Sequence, residues 1–233
     1  RPRLYRDRIW NHSGGQGSPR NSVTQLFVIF DVDSTLIEDE VIELLADAAG
    51  TRVQVAEVTN RAMAGEIDFA ESLIERVATL EGLPESVFDD VLKRIKVSKG
   101  AVDLIDAIHR NGGKVGAVSG GFSQLLTPLA QILNLDYDRA NELEVKDGRL
   151  TGRVIGQIID RQSKADALVE WSTDSGFALA DTVAVGDGAN DLGMMEIAGR
   201  SVAFNAKPVV REFAEIVLDE PDLGQLIEIL HLA

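Results

Sequence analysis

Asp31 and Asp33 stand one residue apart where the apolar run Phe27-Val28-Ile29-Phe30 ends, in the stretch FVIFDVDSTL. Two carboxylates that close repel each other, and one resists ionising unless positive charge stands nearby. A third acid, Asp187, follows another apolar run in VAVGDGAND. Together Asp31, Asp33 and Asp187 make an all-oxygen set suited to a hard divalent cation such as Mg²⁺. A bound dication would offset the crowding and let Asp31 stay ionised. Lys164 is a candidate second positive charge. It follows Ser163 at the start of a helical stretch, where it opposes the helix dipole, an unfavourable position for stability alone.

Two further strand ends are polar. In VGAVSGGF, Ser119 closes an apolar run, and Gly120 and Gly121 leave backbone N–H groups bare where Phe122 opens a helix. Such a helix start takes up anions, and the Ser119 hydroxyl adds a donor, so the cluster reads as a phosphate seat. In GDGAND, two glycines let the backbone pass close to a ligand, Asn190 and Asp191 start the next helix, and Asp191 can orient a metal-bound water or Lys164. Taken singly, each cluster is as readily a turn or a helix cap. Ligands of open parallel sheets sit beyond the carboxyl ends of the strands, and all three clusters fall at that edge.

The elements that must position these groups alternate. Short, wholly apolar strands at about 25–31, 114–121, 181–188 and 201–205 are separated by helical patterns, the signature of an α/β, doubly wound parallel sheet covered on both faces. Residues 141–155 read as a small β-hairpin around Asp147-Gly148. The C-terminal stretches PVVREFAEI and DLGQLIEILHLA read as helices. Between the first and second sheet strands lies helical sequence too long for a simple crossover. The expected organisation is a core of residues 23–37 and 99–233 with a helical cap, 38–98, inserted into it.

Composition excludes several classes. The chain of 233 residues has no cysteine, which removes disulfides, thiolate metal sites and cysteine nucleophiles and is compatible with a cytoplasmic setting. Its apolar runs are far too short to cross a membrane. The net charge is −15; residues 1–22, with five arginines and one acid, contribute a surplus of four positive charges, which leaves the rest at −19. So acidic a body argues against a nucleic-acid partner. The basic, Gly- and Ser-rich residues 1–22 are expected to be a disordered leader or linker.

With these residues in hand, the chain resembles the haloacid dehalogenase superfamily of phosphatases and, within it, the phosphoserine branch. DVDSTLIEDE is similar to that branch's first motif, VSGGF to the second, Lys164 to the third and GDGANDLGM to the fourth, in that order. The resemblance runs from about Gln25 to the C-terminal region. It implies a Rossmann-like core in which Asp31 is the nucleophile and Asp33 the proton carrier. It further implies Mg²⁺ held by the Asp31 carboxylate, the Asp33 main-chain carbonyl and Asp187. Lys164, Ser119 and Gly120 would neutralise the transferring phosphoryl oxygens, and Asn190 would contact phosphate or substrate. Glu40 and Arg76 are similar to the residues that meet the ammonium and carboxylate of O-phosphoserine. Met63 and Phe69 are candidate pocket walls, though apolar residues at helical spacing are more often core. An acid at position 33 favours hydrolysis of a phosphate ester, since dehalogenases lack one there. The implied activity is Mg²⁺-dependent release of serine from O-phosphoserine, completing serine synthesis. A phosphatase of another small metabolite, a phosphotransferase acting on homoserine and an inactive phosphometabolite-binding module remain alternatives.

Overall fold

The computed structural model describes residues 25–232, so the leader expected at 1–22 lies outside the described residues. Seven strands form one sheet: β1 (Phe27–Phe30), β2 (Lys114–Phe122), β3 (Tyr137–Lys146), β4 (Arg149–Ile155), β5 (Thr182–Gly186), β6 (Arg200–Phe204) and β7 (Ile216–Leu218). Their spatial order is β4-β3-β2-β1-β5-β6-β7, and every neighbouring pair is parallel except β3 with β4. The chain builds outward from β1 on one side through β2 and β3, then returns to place β5 on the other. The switch point, where such sheets bind ligands, therefore lies at the carboxyl end of β1.

Alternate side chains of the strands feed two apolar layers. Val28 and Phe30 pack with Leu104 and Ile108 of α5 (Ala101–Arg110) and with Leu125 and Leu129 of α6 (Ser123–Leu133). Phe27 and Ile29 face the other way, onto Leu168 and Trp171 of α7 (Arg161–Asp174) and Met194 and Met195 of α8 (Leu192–Ile197). All four side chains of β1 are wholly buried, as a strand covered on both faces requires.

Between β1 and β2 come α1 (Val41–Ala49), α2 (Arg52–Met63), α3 (Phe69–Ala78) and α4 (Val87–Leu92). The chain enters and leaves this helical block through a paired neck: Ile37 bridges Val97, and the Glu38 N–H donates to the Lys96 carbonyl at 2.8 Å. A second tie joins the block to the β3–β4 hairpin, where the N–H groups of Gly82 and Glu85 donate to the carbonyls of Leu150 and Gly148 at 2.8 and 2.9 Å.

Two elements differ from the sequence reading. The stretch expected as one helix over 208–216 ends at Phe213 as α9 (Pro208–Phe213), and Ile216–Leu218 becomes the edge strand β7, paired with β6. Its β-branched Ile216 and Val217 suit a pleated edge, and β6 offers an open row of partners. The hairpin also begins earlier than 141, because Tyr137–Arg139 first pair with β2. The last helix, α10 (Gln225–Ile229), occupies only the middle of the stretch expected for it.

Candidate active site

Asp31 follows the last residue of β1, and its N–H donates to the Val185 carbonyl of β5 at 2.9 Å, so the acid is pinned to the sheet edge. The chain then turns sharply through residues 32–36, with Ser34 in the left-handed region (φ 57°) and the Ile37 N–H closing onto the Val32 carbonyl at 3.0 Å. This turn brings Asp33 back beside Asp31. Asp187 follows β5 directly, and Ser119 lies in β2 past the regular pairing with β1. Three neighbouring strands thus deliver their polar ends to one place.

Lys164 comes from below. The side chain of Asp160 caps α7 by accepting from the Ser163 N–H at 2.9 Å, and Lys164 points from the first turn into the sheet edge. Only 1% of its surface is exposed. Its ammonium donates to Asp31 Oδ1 at 2.6 Å and to Asp191 Oδ1 at 2.8 Å. The other oxygen of Asp191 accepts from the N–H groups of Asp187 and Gly188 at 3.1 and 3.0 Å. Gly186 permits this closeness, since a Cβ there would sit 2.3 Å from Asp191 Oδ2.

The charges do not balance. Burial chiefly, then repulsion from Asp191, lifts the Asp31 carboxyl to about 8 although Lys164 opposes the shift. Burial and Asp191 likewise lift Asp187 to about 6. For Lys164 burial alone would favour the neutral amine, but Asp191 and Asp31 outweigh it and raise its value, so it stays charged. One lysine is shared among more acids than it can neutralise. Asp31, Asp187 and Asp191 each offer a carboxylate oxygen, all within 4.8 Å of one another, which fits a divalent cation. Asp191 already accepts from Lys164 and two backbone groups, which leaves Asp31 and Asp187 as the freer donors.

Asp33 differs in environment. Burial first, then the carboxylates of Glu40 and Asp31, raises it well above the usual range. Its Oδ2 accepts weakly from the Val41 N–H at 3.4 Å, and its Oδ1 is shielded from solvent without a protein partner. Its side chain is not part of the carboxylate cluster.

A cavity of about 110 Å³ unites these groups. Asp31, Asp33, Ser119, Gly120, Asp187 and Asn190 line the sheet side, and Glu40, Phe69, Leu73 and Arg76 come from the helical block. The structure therefore gathers Asp31, Asp33, Glu40, Arg76, Ser119, Gly120, Asp187 and Asn190 around one space, with Lys164 and Asp191 directly behind Asp31. Ser34 Oγ donates to Glu40 Oε1 at 2.7 Å. The half-buried Arg76 donates through Nε to the Ser72 carbonyl at 3.1 Å. Phe69 lies against Gly120, where a Cβ would come within 3.1 Å of its ring, whereas Met63 is exposed and outside this cavity. The Gly121 N–H, expected to be bare, donates instead to Ser119 Oγ at 2.7 Å.

Two residues at the site escaped the sequence reading. Lys207 lines the cavity, with its ammonium 4.0 Å from Asp187 Oδ2. Buried Asn141 donates to the Gly120 carbonyl at 2.9 Å and accepts from the Ile159 N–H at 2.8 Å, fixing the phosphate-seat peptide against the segment that leads into α7. A lysine before proline and an asparagine in a partly polar strand carry no sequence signal of their own.

The sheet order, the carboxylates at its switch point and the lysine behind them define a class, and comparison with known proteins agrees. The haloacid dehalogenase-like hydrolase family matches residues 28–196, and the chain belongs to that family, on its phosphoserine phosphatase branch. It is 51% identical over 203 residues to a phosphoserine phosphatase of Streptococcus thermophilus, covering 87% of this chain and 94% of that one. Relatives of the same name from Mycobacterium tuberculosis and Streptomyces coelicolor are 51% and 52% identical, and there the chain spans 51% and 50% of their length. A substrate-bound phosphoserine phosphatase superposes with a TM-score of 0.83 at 39% identity, covering 88% of this chain and 98% of its own. A phospho-aspartyl intermediate analogue of phosphoserine phosphatase gives the same TM-score and identity.

Proposed function

We propose that this enzyme is a Mg²⁺-dependent phosphoserine phosphatase, hydrolysing O-phospho-L-serine to L-serine and inorganic phosphate as the last step of serine synthesis in the cytoplasm. The observation that carries this reading is the single cavity in which Asp31, Asp33, Ser119 and Asp187 stand together with Glu40 and Arg76. Chemistry and amino-acid recognition then share one small space.

In this reading Asp31 attacks phosphorus in line and forms an aspartyl phosphate as the seryl oxygen departs. Lys164 and the Val32 N–H both donate to Asp31 Oδ1, leaving Oδ2 for the attack. Asp33, whose carboxyl is raised well above its usual range by burial and by the Glu40 and Asp31 carboxylates, gives its proton to the leaving oxygen. It then accepts a proton from the water that cleaves the aspartyl phosphate. Lys164, the Ser119 hydroxyl and the Gly120 N–H neutralise the phosphoryl oxygens, where phosphoryl transfer most needs help. Mg²⁺, held by the carboxylates of Asp31 and Asp187 and the Asp33 carbonyl, would add positive charge against the same oxygens. Asp191 keeps Lys164 aimed at Asp31. We take the block 38–98 as a cap that selects substrate. Glu40 meets the ammonium, Asn190 meets the phosphate side, and Arg76 offers its two terminal nitrogens to the carboxylate in a planar fork.

The test is a panel comparing O-phosphoserine with phosphothreonine, phosphoethanolamine and an ester lacking both charges, with Mg²⁺ and with EDTA. The expected result is metal-dependent phosphate release with kcat/KM highest for phosphoserine, and a preference over phosphoethanolamine that shrinks at least about tenfold in Arg76→Ala. Equal rates across the panel would overturn the substrate assignment, and phosphate appearing on an added acceptor alcohol would turn it to phosphotransfer.

A further inference from the structure

Outside the catalytic cavity lies a second, wider pocket of about 650 Å³, between the α2–α3 turn and the start of α7. It shares Phe69, Arg76, Asn190 and Lys207 with the inner cavity, so the two adjoin through those side chains. Met63 and Ile67 form an apolar wall on the helical-block side, while Arg161 and Lys207 stand on the sheet side.

The charges of this outer pocket run against those of the molecule. The chain carries −15, and the inner cavity holds four acids, Asp31, Asp33, Glu40 and Asp187, against the Arg76 and Lys207 it shares with the outer pocket, to which Arg161 adds a further cation. A phosphomonoester close to its dianionic form is repelled by such a field from a distance. The Arg161 and Lys207 side chains are exposed at 54% and 64%, and their acidic neighbours are loosely held: Glu196 at 3.9 Å and Asp187 at 4.0 Å. Asp160, the acid lining this pocket, is engaged by the N–H and hydroxyl of Ser163. A cleft lined by one sign of charge focuses the field along its length and raises the local concentration of the opposite ion.

We propose that this outer pocket is the approach by which the substrate anion reaches the catalytic cavity, and that Arg161, seconded by Lys207, draws it in without taking part in turnover. The proposal rests on the phosphatase reading above and adds a residue outside the reacting site that governs capture. Lys207 lies beside Asp187, so Arg161 is the discriminating position.

The experiment compares the parent enzyme with Arg161→Glu, Arg161→Gln and Arg161→Lys over a range of ionic strength, with saturating Mg²⁺. At low salt Arg161→Glu should lower kcat/KM about three- to tenfold, Arg161→Gln by less, and Arg161→Lys hardly at all, with kcat unchanged in each. Plots of log kcat/KM against ionic strength should flatten for the Gln and Glu variants and converge with the parent near 1 M salt, where screening acts within about 3 Å. An unchanged salt slope in Arg161→Glu, or a fall in kcat that salt leaves untouched, overturns the proposal. If the parent enzyme leaves O-phosphoserine intact, the substrate reading fails, and the same comparison with p-nitrophenyl phosphate decides the approach route alone.

Discussion

In the proposed mechanism Asp31 is the nucleophile, and its substitution separates chemistry from fold. An amide in place of the carboxylate would keep the shape and an oxygen able to accept from Lys164. Asp31→Asn should therefore fold normally by circular dichroism while phosphate release falls on the order of 10⁴-fold or more. Phosphate release within about tenfold of the parent would remove Asp31 as nucleophile. The acids at the strand ends were legible because a carboxylate after a wholly apolar run has few structural reasons to be there. Lys164 was legible as a candidate positive charge that Asp191 could orient, but not its burial or its simultaneous hold on Asp31 and Asp191, 133 and 27 positions away, which only the parallel sheet brings to it. Lys207 and Asn141 were illegible for the same reason, each gaining its place from a neighbouring strand end.

Among the elements, α3 brings three cavity-lining residues, Phe69, Leu73 and Arg76, on one helix, and in the proposed function Arg76 meets the substrate carboxylate. Its start is held by a reciprocal capping box, with the Glu71 N–H donating to Asp68 Oδ1 at 2.8 Å and the Asp68 N–H to Glu71 Oε2 at 3.1 Å. Asp68→Ala should therefore cost about 1 kcal/mol and lower Tm by roughly 2–4 °C. It should raise KM for phosphoserine more than it lowers kcat, since Arg76 rides on the loosened helix; an unchanged KM would show that α3 is held by packing alone. Most elements could be read locally: α1 ends at Gly50, whose φ of 70° is a left-handed stop that glycine adopts without cost to a side chain. β7 could not, because Ile216 continues the helical spacing of Val209 and Phe213 and joins a strand only when β6 is beside it.

At the scale of the whole molecule, the crowded acids tie stability to pH and metal. A carboxyl raised by folding keeps a proton that the unfolded chain has released, so stability falls as pH rises, from about 4 until Asp187 ionises near about 6 and Asp31 near about 8. Carboxylates lowered by folding, such as Asp136 beside Lys114 and Asp47 beside Arg52, titrate below that window and leave its slope unchanged. In EDTA the melting temperature should drop between about pH 5 and about pH 8, and Mg²⁺ should recover more of it the higher the pH, because a dication binds the ionised acids. Parallel curves with and without Mg²⁺ would sever the carboxylate cluster from metal binding. The two ties of the helical block carry a mechanical meaning as well. Swinging the helical block as a rigid body about the Ile37–Val97 neck alone would break the bonds from Gly82 to Leu150 and from Glu85 to Gly148, so its position over the sheet is fixed at two places.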